Sequence, residues 1–232
     1  MSSNRLPPDS HVRLLLVNPN TTASMTEAIG ASAAAVAHPG TIVEAVNPRQ
    51  GPPSIESDDD ERRCLPGLLA ELETASARPA ATRPDAYVIA CFGDPGLEQA
   101  RDALNVPVVG IAQAAMHAAT LAAGSFSVVT SMSATVPRAW QLAKAYTPAQ
   151  CVGVYACDIP VLRIAADPGT VDPIRELCEH ALDNDGSRSI VLGCAAMARF
   201  AAPLGRELGV PVIDGVVAAT VLAEALVTLT AQ

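Results

Sequence analysis

Residues 86–109 read AYVIACFGDPGLEQARDALNVPVV, and residues 189–213 read SIVLGCAAMARFAAPLGRELGVPVI. Each stretch is an apolar run ending in Cys, then a helix-forming segment, then Asn or Gly, then Val-Pro-Val. Cys91 precedes Pro107 by 16 positions, and Cys194 precedes Pro211 by 17. A short apolar run followed by a helix and a second apolar run is a β-α-β unit. Any two such units share a hydrophobic pattern. A cysteine at the same structural place in both points to duplication.

Outward from this pair, short β-branched runs alternate with alanine-rich helical stretches, as in α/β proteins with parallel strands. Strands are expected over 12–18, 41–47, 85–91 and 106–111. Helices are expected over 22–36, from Asp58, and from about Pro95. The pattern then restarts. Strands are expected over 126–131, 152–157, 189–194 and 210–213, with helices near 137–146, 172–183, 197–208 and from Val216. The expected fold is α/β: two similar, pseudo-symmetric domains, each a mainly parallel sheet flanked by helices, with the active site in the cleft between them. The first domain takes 1–111, completed by the C-terminal helix 215–232; the second takes 112–214.

Composition narrows the function. The chain has 232 residues, 43 of them Ala, and a net charge of −9. No basic footprint for nucleic acid is present, because phosphate binding draws on clustered Lys and Arg. Lys144 is the sole lysine, which leaves pyridoxal chemistry one candidate. The N-terminal stretch MSSNRLPPDSH is polar and shows no secretory signal pattern. The most apolar stretch, 106–123, contains Pro107, Gln113 and His117 and falls short of a membrane span. A soluble, reducing, cytoplasmic setting is expected, with the six cysteines as free thiols.

In open parallel sheets ligands bind beyond the carboxyl ends of the strands, near helix N-termini. Cys91 and Cys194 both fall at such ends and would oppose each other across a cleft. A helix N-terminus is expected to lower their pKa values. A thiol and a thiolate flanking one carbon remove a proton from one face and supply one to the other, which inverts a stereocentre.

Around them, Gly93 and Gly96 would let backbone approach a ligand, while Asp94 before Pro95 reads as a helix cap. Asn18-Pro19-Asn20-Thr21-Thr22 suits either a cap or the binding of carbonyl and imide edges. Thr130 and Ser131 take the related place in the second half. Cys64, Cys151, Cys157 and Cys178 read as buried small hydrophobes. Cys178 and His180 lie on different helix faces and make poor metal partners, so no metal site is expected. His117 reads as a solvent or core residue ahead of a ligand contact. No GxGxxG, Walker loop or GxSxG occurs.

The blocks 18–22 with Met25-Thr26, ACFGDPGL (90–97), PVVGIAQAA (107–115), FSVVTS (126–131), VLGCAAMA (191–198) and GVPVIDGV (209–216) resemble the hydantoin and allantoin racemases of the aspartate/glutamate racemase superfamily. The resemblance runs from about Val12 to Val227. It implies an isomerase: two α/β domains and a cofactor-independent mechanism in which Cys91 and Cys194 exchange protons at C5 of a 5-substituted hydantoin, allantoin among them. Expected substrate contacts are Asn18, Phe92, Gly93, Thr130, Ser131, Ala195 and Ala196. The resemblance also implies a homo-oligomer. Two departures stand out: Gln113 where the family commonly has Glu, and Ala196 where it commonly has Gly. The methyl of Ala196 is expected to narrow the room for the C5 substituent.

Two other readings remain. One is a related superfamily enzyme, of the arylmalonate decarboxylase or maleate isomerase type; the first typically uses one cysteine, against the pair here. The other is a non-catalytic homologue that binds a small molecule.

Overall fold

The structure, a computed structural model, describes residues 11–230. The N-terminal stretch read for a signal pattern, apart from His11, and the last two residues of the expected C-terminal helix lie outside the described residues. Two four-stranded parallel sheets form, flanked by helices. The first half runs β1 (Arg13–Val17), α1 (Ala23–Ala34), β2 (Ile42–Val46), α2 (Asp58–Ser76), β3 (Ala86–Ile89), α3 (Leu97–Ala103) and β4 (Val108–Gly110). The second continues through α4 (Ile111–Ala123), β5 (Phe126–Thr130), α5 (Val136–Tyr146), β6 (Cys151–Ala156), α6 (Val161–Ala166) and α7 (Val171–Asp185). It ends with β7 (Ile190–Gly193), α8 (Ala198–Leu208), β8 (Val212–Asp214) and α9 (Gly215–Thr230). Strand order is β2-β1-β3-β4 in one sheet and β6-β5-β7-β8 in the other. The duplication read from the two cysteine segments therefore extends to the topology of both sheets.

The central strands are apolar without alternation because both faces of each sheet are covered. All four residues of β3 and all four of β7 are buried. In β1, Leu14 and Leu16 join Ile29 and Ala33 of α1 and Val216, Ala219 and Ala223 of α9. Leu15 and Val17 point the other way, to Leu68 and Leu72 of α2 and Leu97 of α3. Each such side chain contributes about 1.5–3 kcal/mol on burial, so the alternation fixes which helices lie on which face. In the second sheet, Phe126 and Val128 pack with Ala112, Ala115 and Met116 of α4 and with Leu142 of α5. Val129, Ile190 and Leu192 pack with Ile164, Ile174 and Cys178.

Two helices go beyond the sequence reading. α4 occupies 111–123, where the sequence suggested only an apolar stretch; it packs against both sheets, through Ala114 on one side and Met116 on the other. α6 is a six-residue helix over 161–166. No helix among the described residues is long and apolar enough to cross a membrane.

The role expected of Asp94 is corrected. α3 begins at Leu97 with Gly96 as its cap, so Asp94 does not cap the helix that follows it. Its carboxylate instead accepts from the backbone N–H groups of Ala112 and Gln113, at 3.0 and 2.9 Å, and so caps α4. A β-carbon on Gly110 would lie 2.3 Å from the Asp94 carboxyl carbon, so this cap requires glycine at the end of β4.

Candidate active site

Cys91 and Cys194 follow the two structurally equivalent strands, β3 and β7. Local geometry repeats as well: the Cys91 carbonyl accepts from the Asp94 N–H, and the Cys194 carbonyl from the Met197 N–H, each at 3.0 Å. Both cysteines line one cavity of about 50 Å³ between the halves, with Phe92, Gly93, Thr130, Ser131 and Ala195. Asn20 and Met25 enter it from the β1–α1 side, Ile55 from the segment leading into α2, Glu61 from the first turn of α2, and Arg138 and Val161 from the second half.

Burial pushes both thiols up. Cys91 is held well above the ordinary thiol value by loss of solvent, opposed by the Gly93 N–H; the charges of Glu61 and Cys194 push it further up. Cys194 is raised to about 11 by burial, opposed by the Ala196 N–H and the Ser131 side chain. This corrects the expectation that helix N-termini lower these values. Cys194 is followed by a 3-10 turn over Ala195–Met197, and Cys91 by a turn that delays α3 to Leu97. Neither sulfur meets the first turn of an α-helix, and desolvation outweighs the single N–H that each receives.

The polar wall is ordered from behind. Asn18 does not line the cavity: it is buried, and its Nδ2 donates to Asn20 Oδ1 and Thr26 Oγ1, both at 3.0 Å. Asn20 Oδ1 also accepts from the Thr22 N–H at 2.9 Å, so the polar cluster 18–22 orders the turn into α1 and leaves Asn20 at the cavity wall. Thr130 Oγ1 donates to the Gly193 carbonyl at 3.0 Å and lies 3.1 Å from Thr135 Oγ1, tying the end of β5 to the end of β7.

Ala196 lies outside the cavity. It lines a neighbouring groove between α1 and α6 with Thr22, Leu162 and Arg199, because the 3-10 turn carries it past the sulfur. Its methyl therefore does not narrow the cysteine cavity. Gln113 is also remote, its Oε1 accepting from Arg101 at 2.6 Å. His117 is exposed, with Nδ1 2.8 Å from the Gln113 carbonyl. Cys64 and Cys178 are buried, while Cys151, the first residue of the edge strand β6, and Cys157, just after it, are only half-buried. No group of three or more metal-ligating side chains gathers among the described residues.

The charged pair in the cavity wall escaped the sequence reading. Glu61 and Arg138 lie 3.5 Å apart across the two halves. Burial raises the Glu61 pKa, opposed by Arg138. Glu61 sits in the run DDDERR and reads as one more solvated charge; Arg138 follows Pro137 at a helix start. Nothing local marks either, since their meeting depends on how the halves face each other.

A doubled α/β fold with one thiol from each half in a shared, enclosed pocket defines a class: enzymes that work on a small molecule held between two similar halves. The comparisons make this particular. A family model described as Asp/Glu/Hydantoin racemase matches residues 14–223, and the chain belongs to that family. A hydantoin racemase from Rhizobium meliloti is 45% identical over 214 residues, covering 91% of this chain and 87% of the relative. The solved allantoin racemase from Klebsiella pneumoniae superposes with a TM-score of 0.89 at 48% identity, covering 94% of this chain and 88% of that one. The allantoin racemase from Pseudomonas fluorescens gives 0.88 at 37% identity, covering 94% and 92%. The protein is an isomerase of the racemase type.

Proposed function

We propose that this racemase inverts C5 of 5-substituted hydantoins, allantoin among them, by passing protons between Cys91 and Cys194 without a cofactor. The observation that carries the reading is that the two cysteines, each at the end of an equivalent strand, open into one cavity. The C5 hydrogen of a hydantoin lies beside a ring carbonyl. One cysteine, as thiolate, takes that hydrogen, and the C5–H electrons move onto the carbonyl oxygen as an enolate. The enolate then collapses, and C5 takes a proton from the other cysteine on the opposite face. Two thiols exchange roles between the two directions.

The raised thiol pKa values suit this chemistry. A base of high pKa is the stronger acceptor for a weakly acidic C–H, at the cost of a small ionised fraction at neutral pH. The Gly93 and Ala196 N–H groups favour the thiolate of Cys91 and of Cys194 in turn, each opposing the cost of burial. Phe92, Gly93, Thr130, Ser131 and Ala195 surround the substrate, and Asn18 acts by ordering Asn20. Both thiols must stay reduced, which suits the cytoplasm.

The test is polarimetry on pure enantiomers of allantoin and of aliphatic and aromatic hydantoins. Cys91→Ser and Cys194→Ser are each expected to lower racemisation by about 10²–10⁴-fold. Full racemisation by both variants would rule out the two-thiol mechanism, and no turnover of any hydantoin by the wild type would rule out the substrate class.

A further inference from the structure

Arg138 reaches from α5 of the second half and grips the loop that carries Cys91. Its Nε and Nη2 both donate to the Gly93 carbonyl, at 3.1 and 2.8 Å. Glu61, at the start of α2, lies against the same guanidinium at 3.5 Å. The Gly93 peptide is tightly enclosed: a β-carbon there would come within 2.0 Å of Glu61 Oε1. On its other side, the Gly93 N–H faces Cys91 and lowers that thiol's pKa. Guanidinium, the Gly93 residue and the Cys91 thiol thus follow one another across the cleft. The Cys194 loop has no such clamp. Its thiol pKa is lowered by the Ala196 N–H and the Ser131 side chain, both from its own half.

We propose that Arg138 is a positioning residue for Cys91, holding the Gly93 carbonyl from across the cleft so that the Gly93 N–H stays on the sulfur, with Glu61 as the opposing carboxylate. The inference rests on the reading of Cys91 as an acid/base group, and it adds that one of the two thiols is controlled from the opposite half. The Gly93 carbonyl and the Gly93 N–H belong to successive peptide groups, so Arg138 acts by fixing the residue between them: held at its carbonyl, Gly93 keeps its N–H turned toward the Cys91 thiol. Arg138 therefore favours the thiolate, whereas the Glu61 carboxylate disfavours it. The other titratable groups near Cys91 are Cys64 on α2, Asp94 in the same loop and Cys194 across the cavity.

Racemisation kinetics alone do not isolate one thiol. The two enantiomers are equal in free energy, so kcat/KM must stay equal in the two directions whichever thiol is perturbed. Alkylation reads each sulfur separately. The full-length protein is treated with iodoacetamide over a range of pH, and the labelling rates at Cys91 and Cys194 are quantified by peptide mass spectrometry.

Arg138→Gln is expected to lower the Cys91/Cys194 rate ratio by about tenfold, one unit of thiol pKa. Arg138→Lys, which keeps the charge but loses the two-pronged contact, is expected to fall between wild type and Arg138→Gln. Glu61→Gln is expected to raise the ratio. Ratios that move the same way in Arg138→Gln and Glu61→Gln, or that stay at the wild-type value in both, overturn the proposal. So does parallel acceleration of both thiols, which would make the pair a gate. Should Arg138→Gln not fold by thermal melting, Arg138→Lys and Glu61→Gln decide by the same opposite signs. Absence of hydantoin turnover in the wild-type sample would defeat the functional reading while leaving the ratio test intact.

Discussion

The Cys91 loop and the Cys194 loop start alike and diverge within three residues. Each follows a buried central strand, and each cysteine carbonyl accepts from the N–H three residues on. At that third position the first loop has Asp94 and the second has Met197. Asp94, in a left-handed conformation at φ 45°, turns its carboxylate back onto the start of α4. Met197 is buried in the apolar cluster under α8. The equivalent helix of the second half, α9, is capped by Asp214, the last residue of its own strand, which accepts from Val216 and Val217 N–H at 3.0 and 3.3 Å. Both halves satisfy the same orphan N–H groups at a helix start. In the first half the cap ties that helix to the cysteine loop; in the second it is independent of it.

One way to break the likeness of the loops is the pH profile. Both raise their thiol, so kcat/KM after subtraction of the uncatalysed rate is expected to climb by about tenfold per pH unit between about pH 7 and 9. A plateau already present at pH 7 would show that one loop stabilises its thiolate, and the two would differ in kind.

The unlike caps separate the halves next. Asp94→Ala and Asp214→Ala are each expected to cost about 1–2 kcal/mol of stability in urea unfolding, as lost helix caps. Only Asp94→Ala should also lower racemisation, by about tenfold or more, because it frees the loop that holds Cys91. Equal loss of activity in both variants would dissolve the distinction.

The Asp94 cap also predicts a pH-dependent stability. Burial raises Asp94 from 3.8 to about 7, opposed by the N–H groups of Gln113 and Ala112. Between those values the unfolded chain has released this proton and the folded protein has not, so rising pH favours unfolding. The contribution is complete below about pH 4 and is lost by the time pH has risen through about 7. Wild type should lose stability relative to Asp94→Asn across that window; a difference that is constant with pH would show Asp94 to be ionised throughout.

Sequence carried the sheets because parallel strands covered on both faces must be apolar throughout, as 86–89 and 190–193 are. It carried the cysteine pair because duplication placed two sulfurs at one structural position. It misread Asp94, since Asp-Pro resembles a cap for the next helix, and the true partner begins at Ile111. It missed α4, whose residues are apolar toward both sheets and so lack the polar stripe that marks a surface helix. Glu61 and Arg138 were invisible for a third reason: they belong to different halves, and no local pattern encodes an orientation between halves.

Deuterium exchange catalysed by the two single-cysteine variants tests the central claim most directly. With one thiol left in the site, the enzyme should remove and return a proton on one face only. In deuterated water, Cys91→Ser should then exchange C5 hydrogen of one hydantoin enantiomer without inverting it, and Cys194→Ser should do so with the other enantiomer. Exchange of the same enantiomer by both variants, or inversion at the wild-type rate by either, would contradict a mechanism in which Cys91 and Cys194 serve opposite faces of one carbon.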